Sequence, residues 1–587
     1  MKNLLSNLRP NLGGPSLVGA LQQLTKLQAM TSFLVIAGAG MWQFQRVVRI
    51  RPAILGDEYI YSANSRLTEF WSVPIQGDFS NYLFNFVYKS TLLCGDAFYT
   101  CVKGLNLVFF SLTLVLLLGI AIYLTKSAWL SIAIVGGLAV SPVSIYVSLF
   151  LPEILFFFLL TVMLHFLLRA AQTEDPRVWW VVGAGLGLAA LVKPHAFLSL
   201  PAIGVYALIL NVTSRSGIKV LLQKAAWFLG ALVIVRAGIG FLIAGPQALG
   251  LAGQYLGSTA VANITQTEGR SAEGDVIAMS IGELFAPMVA YHWAATTAIF
   301  ALPVAIILVN LITRVRLGKS DLNSDAGLLV TIWLLSLIVI VALFTGYVTG
   351  TGDDHSTRML LRYYEFLYLF LPVIGLASAT SLARESNLAM WPRVAVVALL
   401  TPGLLFAFGG MFDVLTVQIA DAPTLAGLIP NFQVFSAISV LALLSLGLVL
   451  FWPGSFKIGL VAYAVIVAVA TGFETMSQYQ IARGFDSYAD EAGRATSDFL
   501  AVNQVSEKGG VLILAQSRFD ATNTAFWVDR PDTTWDYFGP GVLDASGQDW
   551  QAVDYIVSLG GVQLMDRVKV ILSGENWILY EYDSGSE

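Results

Sequence analysis

Leu105 to Leu124 reads LNLVFFSLTLVLLLGIAIYL, twenty residues without a charge. At about 1.5 Å of rise per residue a helix of that length spans about 30 Å, the thickness of a bilayer's hydrocarbon core. Lys103 and Lys126 bracket the run.

Twelve further stretches read the same way, near 31–48, 129–148, 152–170, 178–193, 196–212, 225–245, 289–312, 326–348, 363–382, 393–411, 431–451 and 457–475. The composition agrees: 56% hydrophobic and 12% charged residues in 587, with a mean hydropathy of +0.72. Too few charges remain to coat a water-soluble globule of this size. The expected fold is an all-α polytopic membrane protein of about thirteen transmembrane helices, embedded in membrane lipid and without a nucleic-acid partner.

Positively charged flanks stay on the cytoplasmic side during insertion. With the N-terminus inside, Lys26, Lys126, Arg169, Arg177, Arg215, Lys219, Lys224, Arg314, Arg316, Lys319, Arg384, Arg393 and Lys457 all fall on the cytoplasmic side. The opposite segments are poor in basic residues: 246–288 has only Arg270, and 412–430 has none. An odd number of spans then puts the C-terminus outside, as in a multi-pass protein of a bacterial inner membrane. The first thirty residues lack a short apolar core followed by a small-residue cleavage site, so the first span reads as an uncleaved anchor.

This divides the chain into a transmembrane region, 1–475, with external loops at about 49–104 and 246–288, and an extracytoplasmic segment, 476–587. The segment carries strand-like runs at Val511–Leu514, Tyr555–Val557 and Val568–Leu572, and a helical pattern from Tyr488 to Val505, which suggests a small α/β domain. It holds seven Lys/Arg against seventeen Asp/Glu, a charge of −10 within a chain total of −5, so the rest carries +5. Cys94 and Cys101 share the first external loop and can pair if that side is oxidising.

Immediately after the first span comes Gly56-Asp57-Glu58-Tyr59. Adjacent side chains point in different directions in a helix or a strand, so one carboxylate can act as a base while the other orients the loop. Arg46, Arg49 and Arg51 precede the pair, readable either as a belt meeting lipid headgroups or as cations for a phosphate.

Polar groups recur at the external ends of later spans. Pro152-Glu153 opens the fourth, where Glu153 also suits the helix dipole. Gly183-Ala184-Gly185-Leu186-Gly187 leads to Lys193-Pro194-His195, where Lys193 and His195 can hold a phosphate, or Lys193 can simply snorkel. After the ninth span come Asp353, Asp354 and His355, consecutive and without a spaced metal-binding partner, then Arg358 and Arg362, four apart and able to share a helical face. No cofactor is required by this pattern; Asp353, Asp354 and His355 could supply ligands to a divalent metal, which their spacing does not support. Arg236 and His165 lie deep within spans, Arg236 to be paired inside the bundle and His165 to be packed.

Gly56-Asp57-Glu58-Tyr59, Leu151-Pro152-Glu153 and Gly185-Leu186-Gly187 through Lys193-Pro194, in that order and on one side, resemble the GT-C superfamily of membrane glycosyltransferases. The likeness is to the branch of the lipid A aminoarabinose transferases and protein O-mannosyltransferases, and is best over 31–210. It implies an inverting transferase with a polyprenyl-phosphate sugar donor, whose acceptor is a glycan, a lipid or a protein. It also implies Asp57 as base, supported by Glu58. Lys89, Lys103, Lys193, Arg358 and Arg362 become candidates for the donor phosphate, with Glu153 and His195 beside them. The rival class is a transporter or flippase for a lipid-linked glycan, which does not need the Asp57-Glu58 pair.

Overall fold

The computed structural model describes residues 17–48, 50–51, 57–72, 80–250, 271–318, 321–350, 358–385, 388–409, 415–483, 487–505, 510–544, 550 and 553–583. Residues 251–270 of the loop expected at 246–288, with Arg270, lie outside them, as do Arg49, Asp353, Asp354 and His355.

Each of the thirteen apolar stretches is helical over most of its described residues. The helices are α1 (Lys26–Val47), α2 (Asp57–Arg66), α3 (Tyr82–Tyr88), α4 (Phe98–Thr125), α5 (Ala128–Ala139), α6 (Glu153–Ala170), α7 (Val178–Val192), α8 (Leu200–Thr213), α9 (Ile218–Val233), α10 (Ser271–Leu317), α11 (Leu322–Gly350), α12 (Phe366–Leu382), α13 (Met390–Phe408), α14 (Phe432–Phe451) and α15 (Phe456–Arg483). Among the described residues nine helices are long and apolar enough to cross a membrane, or ten if a bent pair counts as one span. The chain is an integral, multi-pass membrane protein. The count of thirteen is not reached on that measure, because α7 and α12 are shorter apolar helices and α1 is not among the nine.

The bent pair explains how a polar ledge is built inside the bundle. The stretch expected as one span at 129–148 breaks after Ala139, and a 3-10 helix, Pro142–Ser148, leaves at 53°. Away from water, carbonyls freed by such a break need partners. Asn106 Nδ2 lies 2.8 Å from the Leu149 carbonyl oxygen and Tyr99 OH 2.8 Å from that of Ser148.

Glycine brings α7 and α9 together. A Cβ on Gly183 would stand 2.0 Å from the Phe228 carbonyl oxygen, and one on Gly187 3.0 Å from that of Leu232. That close approach fixes α7, and with it Lys193 at its C-terminal end.

The C-terminal part is an α/β unit. Helix α16 (Tyr488–Val502) and helix α17 (Arg518–Val528) accompany a five-stranded sheet in the order β2-β1-β4-β7-β6. Here β1 is Gly510–Ala515, β2 Thr533–Tyr537, β3 Gly541–Asp544, β4 Val553–Leu559, β5 Val562–Met565, β6 Val568–Gly574 and β7 Trp577–Tyr582. The pairs β2–β1 and β1–β4 are parallel, β4–β7 and β7–β6 antiparallel, and β3–β5 form a separate parallel pair. All six residues of β1 are buried, as a central strand covered on both faces requires. This unit rests on α2 and the start of α4, which makes that side of the bundle its sheet face.

Candidate functional site

Asp57 is the first residue of α2 and Glu58 the second, and their side chains diverge as adjacent helical positions must. Glu58 turns inward and is buried. Its Oε1 accepts from the Phe150 backbone N–H at 2.7 Å and stands 3.1 Å from Tyr99 OH. It thereby fastens α2 to the broken-helix ledge and to α4.

Asp57 faces the other way and keeps 32% of its side chain open. Its Oδ2 accepts from Arg362 Nη1 at 2.8 Å. Burial alone would raise the Asp57 carboxyl; the Arg362 charge and hydrogen bond, followed by the charges of Arg358 and Lys193, outweigh it and hold the group below the usual carboxylate range.

Arg362 also reaches Asp421, with Nε 3.3 Å from Oδ1, and its backbone N–H donates to the Asp421 carbonyl at 2.7 Å. Arg358 Nε donates to the other oxygen of Asp421, which is fully buried. The two arginines do not share a helical face as their spacing suggested. Arg358 bridges to Thr416 in extended backbone, and Arg362 lies in a single 3-10 turn, Leu361–Tyr363. They meet through Asp421, which comes from the loop before α14.

Lys193 Nζ pairs with Glu153 Oε1 at 2.6 Å, both side chains at most 3% exposed. Lys193 therefore does not snorkel. Glu153 opens α6, so it both complements that helix and pairs with Lys193; its Oε2 is buried without a hydrogen-bond partner among the described residues. Tyr363 gathers the cations, with Lys193 Nζ 5.2 Å and Arg362 Cζ 5.6 Å from its ring centroid. His195 stacks on the same ring at 4.3 Å.

Asp57, Arg362, Arg358, Asp421, Lys193, Glu153 and His195 thus form one continuous cluster on the sheet face. Three cations meet three carboxylates there, so an arriving phosphate must draw an arginine away from an aspartate or leave a carboxylate to take up a proton.

Two other candidates stand apart. Lys89 lies past the far end of α2, where its Nζ donates to the Thr68 carbonyl at 2.6 Å. It lines a separate cleft with Asn64, Trp71, Tyr82 and Gln247. Lys103 is fully buried and donates to the carbonyls of Val47 and Ile50 at 2.6 and 2.7 Å, which ties the end of α1 to α4.

Arg46 stacks on Trp42 at 4.3 Å and Phe473 at 5.2 Å, away from the cluster. Arg236 donates to the Ala248 and Gly250 carbonyls at 2.9 and 3.3 Å, and the His165 ring packs beside Phe166. Cys94 and Cys101 are disulfide-bonded. Among the described residues no group of three or more His, Cys, Asp or Glu side chains is arranged to hold a metal.

Sequence reading passed over two residues. Asp421 sits in a segment noticed only for lacking basic residues. Glu365, fully buried, accepts from Tyr146 OH at 2.8 Å and Thr424 Oγ1 at 3.0 Å, next to the cluster. A carboxylate inside an otherwise apolar run was the available signal for both.

Residues 98–249 match a family model described as dolichyl-phosphate-mannose-protein mannosyltransferase. The stretch is about a quarter of the chain and holds Glu153 and Lys193, while Asp57, Arg358, Arg362 and Asp421 lie outside it. A comparison with curated proteins returns no match. Among solved structures, the chain is similar to ArnT from Cupriavidus metallidurans bound to undecaprenyl phosphate, at 14% identity over 93% of this chain and 97% of that one, with a TM-score of 0.45. It is similar to the archaeal oligosaccharyltransferase AglB from Archaeoglobus fulgidus, in complex with an inhibitory peptide and a dolichol-phosphate, at 13% identity over 91% and 70%, with a TM-score of 0.46. The arabinosyltransferase EmbB from Mycobacterium smegmatis follows at 13% identity over 78% and 41%, with a TM-score of 0.42. The resemblance to GT-C membrane glycosyltransferases carried by the sequence motifs therefore has a counterpart in the family match over 98–249.

Proposed function

We propose that this chain is an inverting membrane glycosyltransferase that moves a sugar from a polyprenyl-phosphate donor to a hydroxyl of a lipid, polysaccharide or protein acceptor. The observation that carries the reading is Asp57, a carboxylate one third open and held ionised among Arg362, Arg358 and Lys193 at one end of a bundle of membrane helices. The family match adds to it, since the description names a dolichyl-phosphate sugar as donor. The Lys/Arg bias of the loops argues that the sheet face is the outer face.

In the reaction the acceptor hydroxyl oxygen attacks the anomeric carbon from the side opposite the phosphate. The bond from that carbon to the phosphate oxygen breaks and its electron pair leaves with polyprenyl phosphate. The hydroxyl proton passes to the Asp57 carboxylate. Charge developing on the phosphate is met by Arg362 and Arg358, and a pull of Arg362 towards it loosens its hold on Asp57, raising the basicity of the carboxylate as the base is needed. Glu58 keeps α2 in register, Lys193 and Glu153 brace the floor, and Tyr363 with His195 forms an aromatic wall.

The test is transfer in proteoliposomes from purified polyprenyl-phosphate sugars. Asp57→Asn is expected to bind donor and transfer nothing. Full transfer by this variant removes Asp57 from the chemistry; a wild type that transfers with no donor but carries a lipid-linked glycan across the vesicle wall makes the chain a transporter.

A further inference from the structure

We propose that Arg66 and Asp529 are positioning residues for Asp57: through this ion pair the C-terminal sheet unit sets the helix on which the base stands. The inference rests on the reading of Asp57 as base. Helix α2 has Asp57 at its first position and Arg66 at its last, roughly 14 Å apart along the axis. The Arg66 guanidinium meets both oxygens of Asp529, Nη1 to Oδ1 at 2.7 Å and Nη2 to Oδ2 at 2.5 Å. Such a fork fixes orientation as well as distance. The guanidinium carbon also lies 3.4 Å from the centre of the Phe98 ring, so the group is held from a second side.

Asp529 is a poor residue for its place unless Arg66 is there. It caps the C-terminus of α17 in the left-handed region, at φ 55°, which costs every residue but glycine something, though aspartate less than most. Its carboxylate sits at the negative end of a helix dipole. Burial further pushes the carboxyl up, against the pull of Arg66. The pairing across 463 residues of sequence works against these local costs.

The same unit grips the catalytic end of α2. Trp535 of β2 meets Tyr59 edge-on at 5.3 Å, beside Asp57 and Glu58. Phe526 of α17 packs against Phe98 at 5.4 Å and Tyr99 at 5.5 Å, and it is Tyr99 that reaches Glu58. Phe98 and Tyr99 belong to the loop closed by Cys94–Cys101, so the seat for the sheet unit is itself covalently braced. Helix α2 is therefore held at Asp57 by Arg362, at Glu58 by Tyr99 and Phe150, and at Arg66 by Asp529. Releasing the last hold lets the helix tilt about the others, and a displacement of about 1 Å at a reacting group can cost about a hundredfold in rate.

The experiment uses the full chain in proteoliposomes, with rates expressed per donor-binding site so that misfolded protein drops out. Arg66→Ala and Asp529→Asn are expected to lower kcat at least tenfold with the donor KM within twofold. Arg66→Lys, which keeps the charge but loses the fork, should fall in between, and the exchange Arg66→Asp with Asp529→Arg should recover most of the loss. Wild-type kcat per site in both single variants, beside an inactive Asp57→Asn, overturns the inference alone. An exchange as slow as the single variants overturns the pairing. A fully active Asp57→Asn overturns the base reading, and the inference with it.

Discussion

Replacing Arg362 with alanine moves the acid limb of the pH–rate profile upward. The guanidinium sits 2.8 Å from Asp57 Oδ2 and is the largest of the influences that hold that carboxyl below its usual range against burial. An opposite charge at such range lowers an aspartate by about 1–3 pH. Arg358 and Lys193 remain in the variant, so a rise of about 1–2 pH is expected. The sign follows from ionisation: the wild-type base stays deprotonated as pH falls, whereas in the variant burial is opposed only by Arg358 and Lys193 and the proton binds at higher pH, so the rate is lost earlier. Any stability that the depressed Asp57 contributes has the same sign, present above its unfolded value and lost as pH falls through the folded one. The assay is kcat/KM for donor between about pH 3 and 8, normalised to each variant's plateau, a range that reaches carboxyls on either side of their ordinary value. An acid limb unmoved, or moved downward, refutes the coupling of Arg362 to Asp57.

Other outcomes follow from the same contacts. Lys193→Ala leaves Glu153 buried without its cation, expected to cost about 3–5 kcal/mol, whereas Lys193→Met with Glu153→Gln should melt close to wild type in detergent; equal melting of the single and double variants contradicts a buried charge pair. Glu58→Ala strips the acceptor from the Phe150 N–H and should destabilise by about 1–3 kcal/mol, read by the same melt, while Glu58→Gln keeps an acceptor oxygen and loses less. Gly183→Val should abolish folded protein on size exclusion because its side chain meets the Phe228 carbonyl, while Gly185→Ala, whose nearest neighbour would be at 3.7 Å, should elute as wild type.

What the sequence made legible were features encoded within a few residues. Apolar runs of helix length gave the spans, and the alternation of charge across the loops gave an expected sidedness. The Asp57 and Glu58 side chains could be expected to diverge because adjacent positions cannot share a direction, and the structure turns Glu58 inward and leaves Asp57 partly open. Glycine spacing before Lys193 pointed to close helix packing, now seen at Gly183 and Gly187.

Less legible were contacts between distant segments. Nothing local to Asp421 says that it joins Arg358 to Arg362, and the helix assumed for those arginines gave way to an extended bridge and one turn because the loop before α14 supplies their hydrogen bonds. Lys89 and Lys103 looked equivalent to Lys193 as cations in loops or helix ends, yet backbone carbonyls claim both. In the C-terminal unit three runs became β1, β4 and β6, but the amphipathic edge strand β2 and helix α17 escaped notice, and with them the partner of Arg66.

The most direct measurement is the stoichiometry and stereochemistry of a single turnover with a polyprenyl-phosphate sugar labelled at its anomeric carbon. One polyprenyl phosphate should be released per sugar transferred, with the anomeric configuration inverted in the product and neither product formed by Asp57→Asn. Retention of configuration, or transfer without release of polyprenyl phosphate, would contradict this mechanism.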